Sequence, residues 1–199
     1  MSDKRNTTKK KIVIFASGSG TNAENIIRYF QESSDTSVLA VFSNKKYAGA
    51  LKRAHDLQVK ALHFDRNSFY QTNEVLHILE DMNPDLIVLA GFLWLFPSKI
   101  IAEFPDRIIN IHPALLPKFG GKGMYGNKVH EAVIEKKEKE SGISIHYVNE
   151  HYDEGNIIFQ ATTPITEEDT PASLATKIHT LEYKHFPEVI QQLLQKQIK

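Results

Sequence analysis

Two polar residues interrupt a run that otherwise suits a buried strand. In "RIINIH" (107–112), Asn110 and His112 are set among isoleucines. Side chains alternate along a strand, so a spacing of two sends Asn110 and His112 to one face and Ile109 and Ile111 to the other. Pro113 follows and biases His112 toward extended geometry, which helps fix the direction of its ring. An amide N–H beside an imidazole, charged if protonated, can hold a developing oxyanion, which suits transfer of an acyl group. A lone histidine among nine is ordinarily a core or surface residue. The neighbouring asparagine, at the carboxyl end of a strand, argues for more. The chemistry also needs a proton acceptor, and "NEHYDEGN" (149–156) offers Glu150, Asp153 and Glu154. Spacing does not choose among them, and the bland reading of Asp153 is a turn aspartate.

A second candidate lies upstream. "SGSGTN" (17–22) joins an apolar run to a helical pattern. Gly18 and Gly20 permit a tight turn and close approach of a ligand to the backbone. The free N–H groups and dipole of the following helix favour an anion. Ser19, Thr21 and Asn22 complete the turn, and Thr21 and Asn22 add side-chain donors for phosphate oxygens. The Gly-Lys-Ser/Thr of a phosphate-binding P-loop is absent. G-x-G-x-x-A is matched by Gly18, Gly20 and Ala23, but the second strand ends "SNKK" (43–46), without the acidic partner of a dinucleotide site. A small phosphomonoester therefore fits better than NAD. The bland alternative is a tight strand-to-helix turn with no ligand.

The surrounding elements must bring these stretches together. Continuous apolar, β-branched runs at 11–17, 37–43, 60–64, 85–92 and 107–112 read as buried strands. Helical spacing marks 22–33, 47–57, 67–82 and 97–104 between them. Alternating strands and helices predict a doubly wound, Rossmann-like α/β fold with a mostly parallel sheet, which places ligands at the carboxyl ends of its strands. After a glycine-rich loop at 120–126 and a helix at 127–137, two strands at 141–150 and 156–165 predict an antiparallel hairpin appended to that sheet. Thr170 caps a long C-terminal helix with Pro171 at its first position, and Pro187 predicts a kink or division in it. The expected organisation is a flexible tail at 1–10 and one domain at 11–199, with a phosphate-binding half to about 112 and a half from about 113 that carries the candidate carboxylates.

Composition narrows the function classes. A chain of 199 residues can bury roughly 70% of its unfolded surface in one domain. It has no cysteine, which excludes disulfides, a thiol nucleophile and thiolate metal sites. The 24 basic and 24 acidic residues balance, so neither nucleic acid nor an anionic membrane is an expected partner. No apolar run approaches the ~20 residues of a membrane helix, and the polar N-terminus has no secretory pattern, so the cytoplasm is the expected location. The histidines are scattered without H-E-x-x-H, so metal binding is the weaker alternative.

With these residues in view, the sequence resembles a known family. "IVIFASGSGTN", "PDLIVLAGF", "RIINIHPALLPKF", "ISIHYVNEHYDEGNII" and "IHTLEYKHFPEVI" occur in the order seen in the phosphoribosylglycinamide formyltransferases, across about residues 10–195. The resemblance implies an enzyme of purine biosynthesis that moves a formyl group from 10-formyltetrahydrofolate to the amine of glycinamide ribonucleotide. It implies Asn110, His112 and Asp153 as the catalytic set, with His146 supporting. It implies phosphate contacts at Gly18, Ser19, Gly20, Thr21 and Asn22, ribose contacts at Glu182, and no metal. Folate is implied to lie along Leu93, Trp94, Leu95 and Phe96 and against Asn110, Asn149, Glu150, Tyr152 and Asp153. A monomer or homodimer is expected. Trp94, His179 and the "GGKGMYG" loop (120–126) depart from the family's usual residues. Two other folate enzymes, a formyltetrahydrofolate hydrolase and a methionyl-tRNA formyltransferase, normally carry an extra domain, which is not expected here. A nucleotide sensor without turnover would not need Asn110, His112 and Asp153 together.

Overall fold

A computed structural model describes residues 9–196. Seven strands form one sheet in the order β3-β2-β1-β4-β5-β6-β7. β1 (Lys10–Phe15), β2 (Thr36–Ser43), β3 (Lys60–His63), β4 (Leu86–Leu89) and β5 (Ile108–His112) run parallel. β6 (Glu140–Tyr147) is antiparallel to β5, and β7 (Ile157–Pro164) is antiparallel to β6. The hairpin expected at 141–165 is therefore joined to the main sheet through β5. The strand order reverses between β1 and β4, where the exits of neighbouring strands diverge and leave a crevice. Residues 1–8 of the expected tail and 197–198 of the expected last helix lie outside the described residues, while Lys10 opens β1.

Two apolar layers cover the sheet. Ile12, Ile14, Ile109, Ile111, Ile143 and Ile145 face α1 (Thr21–Phe30), α6 (Asn127–Glu135) and α7 (Pro171–Lys196). Val13, Phe15, Phe42, Ile87, Leu89 and Ile108 face the other way, toward α3 (Arg66–Tyr70), α4 (Glu74–Met82) and α5 (Ser98–Glu103). α2 (Gly49–Asp56) packs at the end of the sheet near the glycine turn. The period of two along β5 thus sorts Ile109 and Ile111 to one layer and leaves Asn110 and His112 beyond Ile108 on the other.

Two helical expectations change. The pattern at 67–82 is two helices, α3 and α4, separated by Gln71–Asn73. Asp65 and Ser68 cap α3 reciprocally, and Lys99 of α5 bonds the carbonyl of Thr72 and, at 3.2 Å, the side chain of Asn73. That outside donor satisfies a carbonyl in the break and stabilises it. Pro187, in turn, does not divide the last helix, which is continuous from Pro171 to Lys196. Proline removes the N–H that would have bonded the carbonyl four residues earlier. That carbonyl belongs to Tyr183, and Asn25 Nδ2 of α1 donates to it at 2.8 Å. The helix keeps going because a neighbouring helix replaces the missing donor.

Candidate active site

The exits of β1, β4 and β5 converge on one cavity of about 480 Å³. Ser17 ties the first two exits together. Its N–H donates to Gly91 O at 3.0 Å, and its hydroxyl accepts from Leu93 N at 3.0 Å and donates to Asn44 Oδ1 at 2.7 Å.

The glycine turn forms one wall, with Gly18, Ser19, Gly20, Thr21 and Asn22 all lining the cavity. Gly20 caps α1 with φ 77°, in the left-handed region that glycine adopts without strain. A β-carbon there would also collide with the backbone of Ala50 in α2. The N–H groups of the first turn of α1 have no carbonyl one turn back to bond, so they remain available to an anion. Glu24 stands in that turn, but Arg28 and Arg53 pair with it and hold its carboxyl below the usual range against the opposing pull of desolvation. Arg53 Nε also donates to Ser19 O at 3.0 Å, which braces the turn from outside. Asn22 Nδ2 donates to Glu182 Oε2 at 2.9 Å, and Asn22 Oδ1 is buried without a partner among the described residues. Burial raises the Glu182 carboxyl to about 7, with the Asn22 hydrogen bond opposing the rise.

Asn110, His112 and Asp153 form the opposite wall. Asn110 lies opposite His146 across the β5–β6 pair, and His112 lies opposite Ser144. Asp153 is brought over them by the turn between β6 and β7, with φ 58°. Its Oδ2 is 3.5 Å from His112 Nδ1 and accepts from Gly121 N at 3.0 Å; its Oδ1 is 3.4 Å from Asn110 Nδ2. His112 Nε2 bonds Phe119 O at 2.7 Å. A carbonyl only accepts, so Nε2 carries the hydrogen and Nδ1 of the neutral ring turns its lone pair toward Asp153. Burial lowers the pKa of His112, while the Asp153 charge and the Phe119 carbonyl pull it up without cancelling the fall. Burial pushes Asp153 up, but the neighbouring His146 and His112 rings and the Gly121 N–H outweigh it and leave the carboxyl below its ordinary value.

The remaining expected residues divide. Leu93, Tyr152 and Glu182 line the cavity, whereas the side chains of Trp94, Leu95, Phe96, Asn149 and Glu150 do not. Trp94 packs on Phe69 and Tyr70 with Arg66 over its ring at 5.7 Å. Phe96 is a core residue, edge-on to Phe15, and Leu95 O accepts from the Tyr70 hydroxyl at 2.8 Å. Asn149 bonds His151 N at 3.0 Å, and Glu150 is exposed. His146 sits behind Asn110, outside the cavity lining. Sequence reasoning did not foresee that the glycine-rich loop folds over the site, supplying Gly121, Lys122, Met124 and Tyr125 as lining, or that His130 and His179 complete the wall. The glycines at 120–126 were the visible signal of a loop; its destination depends on contacts across the fold. Among the described residues no group of three or more His, Asp or Glu is arranged to hold a metal ion, and no helix is long and apolar enough to cross a membrane.

A model of the family described as formyl transferase matches residues 10–190. The chain belongs to the formyl transferase family. Within it, the chain is 38% identical to the chloroplastic phosphoribosylglycinamide formyltransferase of Arabidopsis thaliana, over 96% of this chain and 68% of that one. It is 35% identical to phosphoribosylglycinamide formyltransferase of Bacillus subtilis, over 93% of this chain and 95% of the relative. The solved structure of phosphoribosylglycinamide formyltransferase from Bacillus halodurans superposes with a TM-score of 0.83 at 35% identity, covering 93% of this chain and 95% of that one. The resemblance carried by the motifs thus extends across the formyl transferase fold as well as the sequence.

Proposed function

We propose that this formyl transferase moves the formyl group of 10-formyltetrahydrofolate to the amine of glycinamide ribonucleotide, in purine biosynthesis. The observation that carries this reading is the joining of two walls in one cavity: a helix N-terminus suited to a phosphate and an Asn–His–Asp group suited to acyl transfer. The substrate phosphate lies on Gly18–Asn22 and its ribose hydroxyls on Glu182. Its amine reaches toward Asn110 and His112, while folate enters past Leu93 and Tyr152.

The amine nitrogen attacks the formyl carbon, and the carbonyl oxygen becomes an oxyanion. Asn110 Nδ2 donates to that oxygen with the hydrogen now shared weakly with Asp153 at 3.4 Å. His112 gains proton affinity as the second negative charge develops beside it, with Asp153 3.5 Å from the Nδ1 that receives the proton. Collapse breaks the bond from carbon to the folate nitrogen, which leaves with a proton and gives tetrahydrofolate. The proton that the leaving nitrogen takes is the one that the attacking amine loses, held in between on His112 Nδ1, where the Asp153 charge stabilises the imidazolium.

The test is a two-substrate assay with purified protein and no added metal. Formation of formylglycinamide ribonucleotide and tetrahydrofolate in equal amounts is expected. Folate hydrolysis at a rate independent of the amine would overturn the reading.

A further inference from the structure

The reaction above leaves two histidines of the cavity wall without a task, His179 and His130, and of these only His130 is buried. It lies in the first turns of α6, is 3% exposed, and lines the cavity. Its Nδ1 is sealed from solvent and has no hydrogen-bond partner among the described residues. A buried N–H without an acceptor is rarer and costlier than a bare acceptor, so the ring hydrogen belongs on Nε2, the nitrogen left to meet the cavity. Burial first, then the nearby His179 and His112, lower the ring's pKa to about 4, so at neutral pH it is a neutral N–H donor.

Its place in the cavity identifies the group it meets. His179 stands one helical turn before Glu182 on α7, at the ribose end, and His112 stands at the formyl end. His130 feels both. Along glycinamide ribonucleotide, the group between the ribose and the attacking amine is an amide, and its carbonyl oxygen is the strong acceptor there. We propose that His130 is a specificity-determining residue for the acceptor substrate, donating its Nε2–H to the carbonyl oxygen of the glycyl amide. This assignment rests on the formyl-transfer reading above. It explains why a buried imidazole is kept in a wall where an apolar side chain would pack without an unsatisfied nitrogen.

The experiment compares wild type, His130→Phe and His130→Gln in the two-substrate assay, with thermal melting of each. Phenylalanine keeps the ring's bulk and removes the donor; glutamine restores an N–H. His130→Phe is expected to raise KM for glycinamide ribonucleotide at least tenfold, leave KM for 10-formyltetrahydrofolate within about twofold, and keep its melting temperature. His130→Gln should recover most of the loss. Unchanged KM for the ribonucleotide in His130→Phe, equal rises in both KM values, or no rescue by glutamine would each overturn the assignment. Failure of the wild-type protein to formylate the ribonucleotide would instead overturn the proposed function, so the two are separable.

Discussion

Asn110 faces His146 across the β5–β6 pair and donates its amide N–H to His146 Nε2 at 3.1 Å. The direction of that bond follows from the other ring nitrogen, which lies 2.8 Å from the Tyr147 carbonyl and must donate to it. His146 therefore aims Asn110 without touching the cavity. Replacing His146 with Leu leaves the Asn110 amide free to rotate. A misplacement of this kind lowers kcat by about 10- to 100-fold, with little change in KM for the phosphorylated substrate. Steady-state kinetics on both substrates checks the split.

Asp153 raises the proton affinity of His112 from 3.5 Å away. Asp153→Asn removes that charge, so the His112 pKa, already low through burial, falls further. The same change lowers kcat by about 100- to 10,000-fold, the range for loss of a group in proton transfer. Titration of the His112 ring by NMR, with the rate measured in parallel, tests both parts. A kcat within a few-fold of wild type would rule out the role given to Asp153.

Glu182 carries a pH signature of its own. Its carboxyl is raised to about 7 in the folded protein against an ordinary 4.5, chiefly by burial. The folded state therefore holds the proton more tightly than the unfolded chain. The stability this provides is complete below pH 4.5 and is lost as pH rises to about 7. Glu182→Gln should match wild type in stability near pH 4.5 and exceed it by about 2–4 kcal/mol above pH 7. Melting temperatures at pH 4.5 and 8 measure this, and the variant should also bind the ribonucleotide more weakly.

Gly20 stands between α1 and α2 with φ 77°, where a β-carbon meets the Ala50 backbone. Gly20→Ala combines an unfavourable backbone conformation with a steric clash and should cost at least about 2 kcal/mol. Denaturant unfolding reads the loss. Gly18→Ala, where a β-carbon meets nothing within 4 Å, is the control and should unfold close to wild type.

Asn22 and Glu182 are 160 residues apart in sequence and 2.9 Å apart in space. Asn22→Ala should raise KM for the ribonucleotide with little effect on folate, because both wall residues lose a fixed position. Isothermal titration with each substrate separates the two affinities.

Periodicity and turn chemistry are local, and the sequence alone determined what depends on them. The apolar runs at 11–17, 37–43, 85–92 and 107–112 became β1, β2, β4 and β5, because β-branched stretches between glycine and polar breaks have few other places to be buried. The period of two placed Asn110 and His112 on one face, and the Gly18–Asn22 turn opened a helix as its residues require. Thr170 caps α7 as expected, accepting from Ser173 N at 3.2 Å. What depends on residues distant in the chain was decided only by tertiary structure. Pro187 could be carried inside a helix because Asn25 from α1 reaches its orphaned carbonyl. The pattern at 67–82 broke where Lys99 from α5 supplied a donor to Thr72. Asp153, indistinguishable by spacing from Glu150 and Glu154, became the carboxylate of the site because the β6–β7 turn folds it against His112 and Gly121. His130 gave no signal in sequence because its unpartnered nitrogen exists only once α6 packs into the cavity wall.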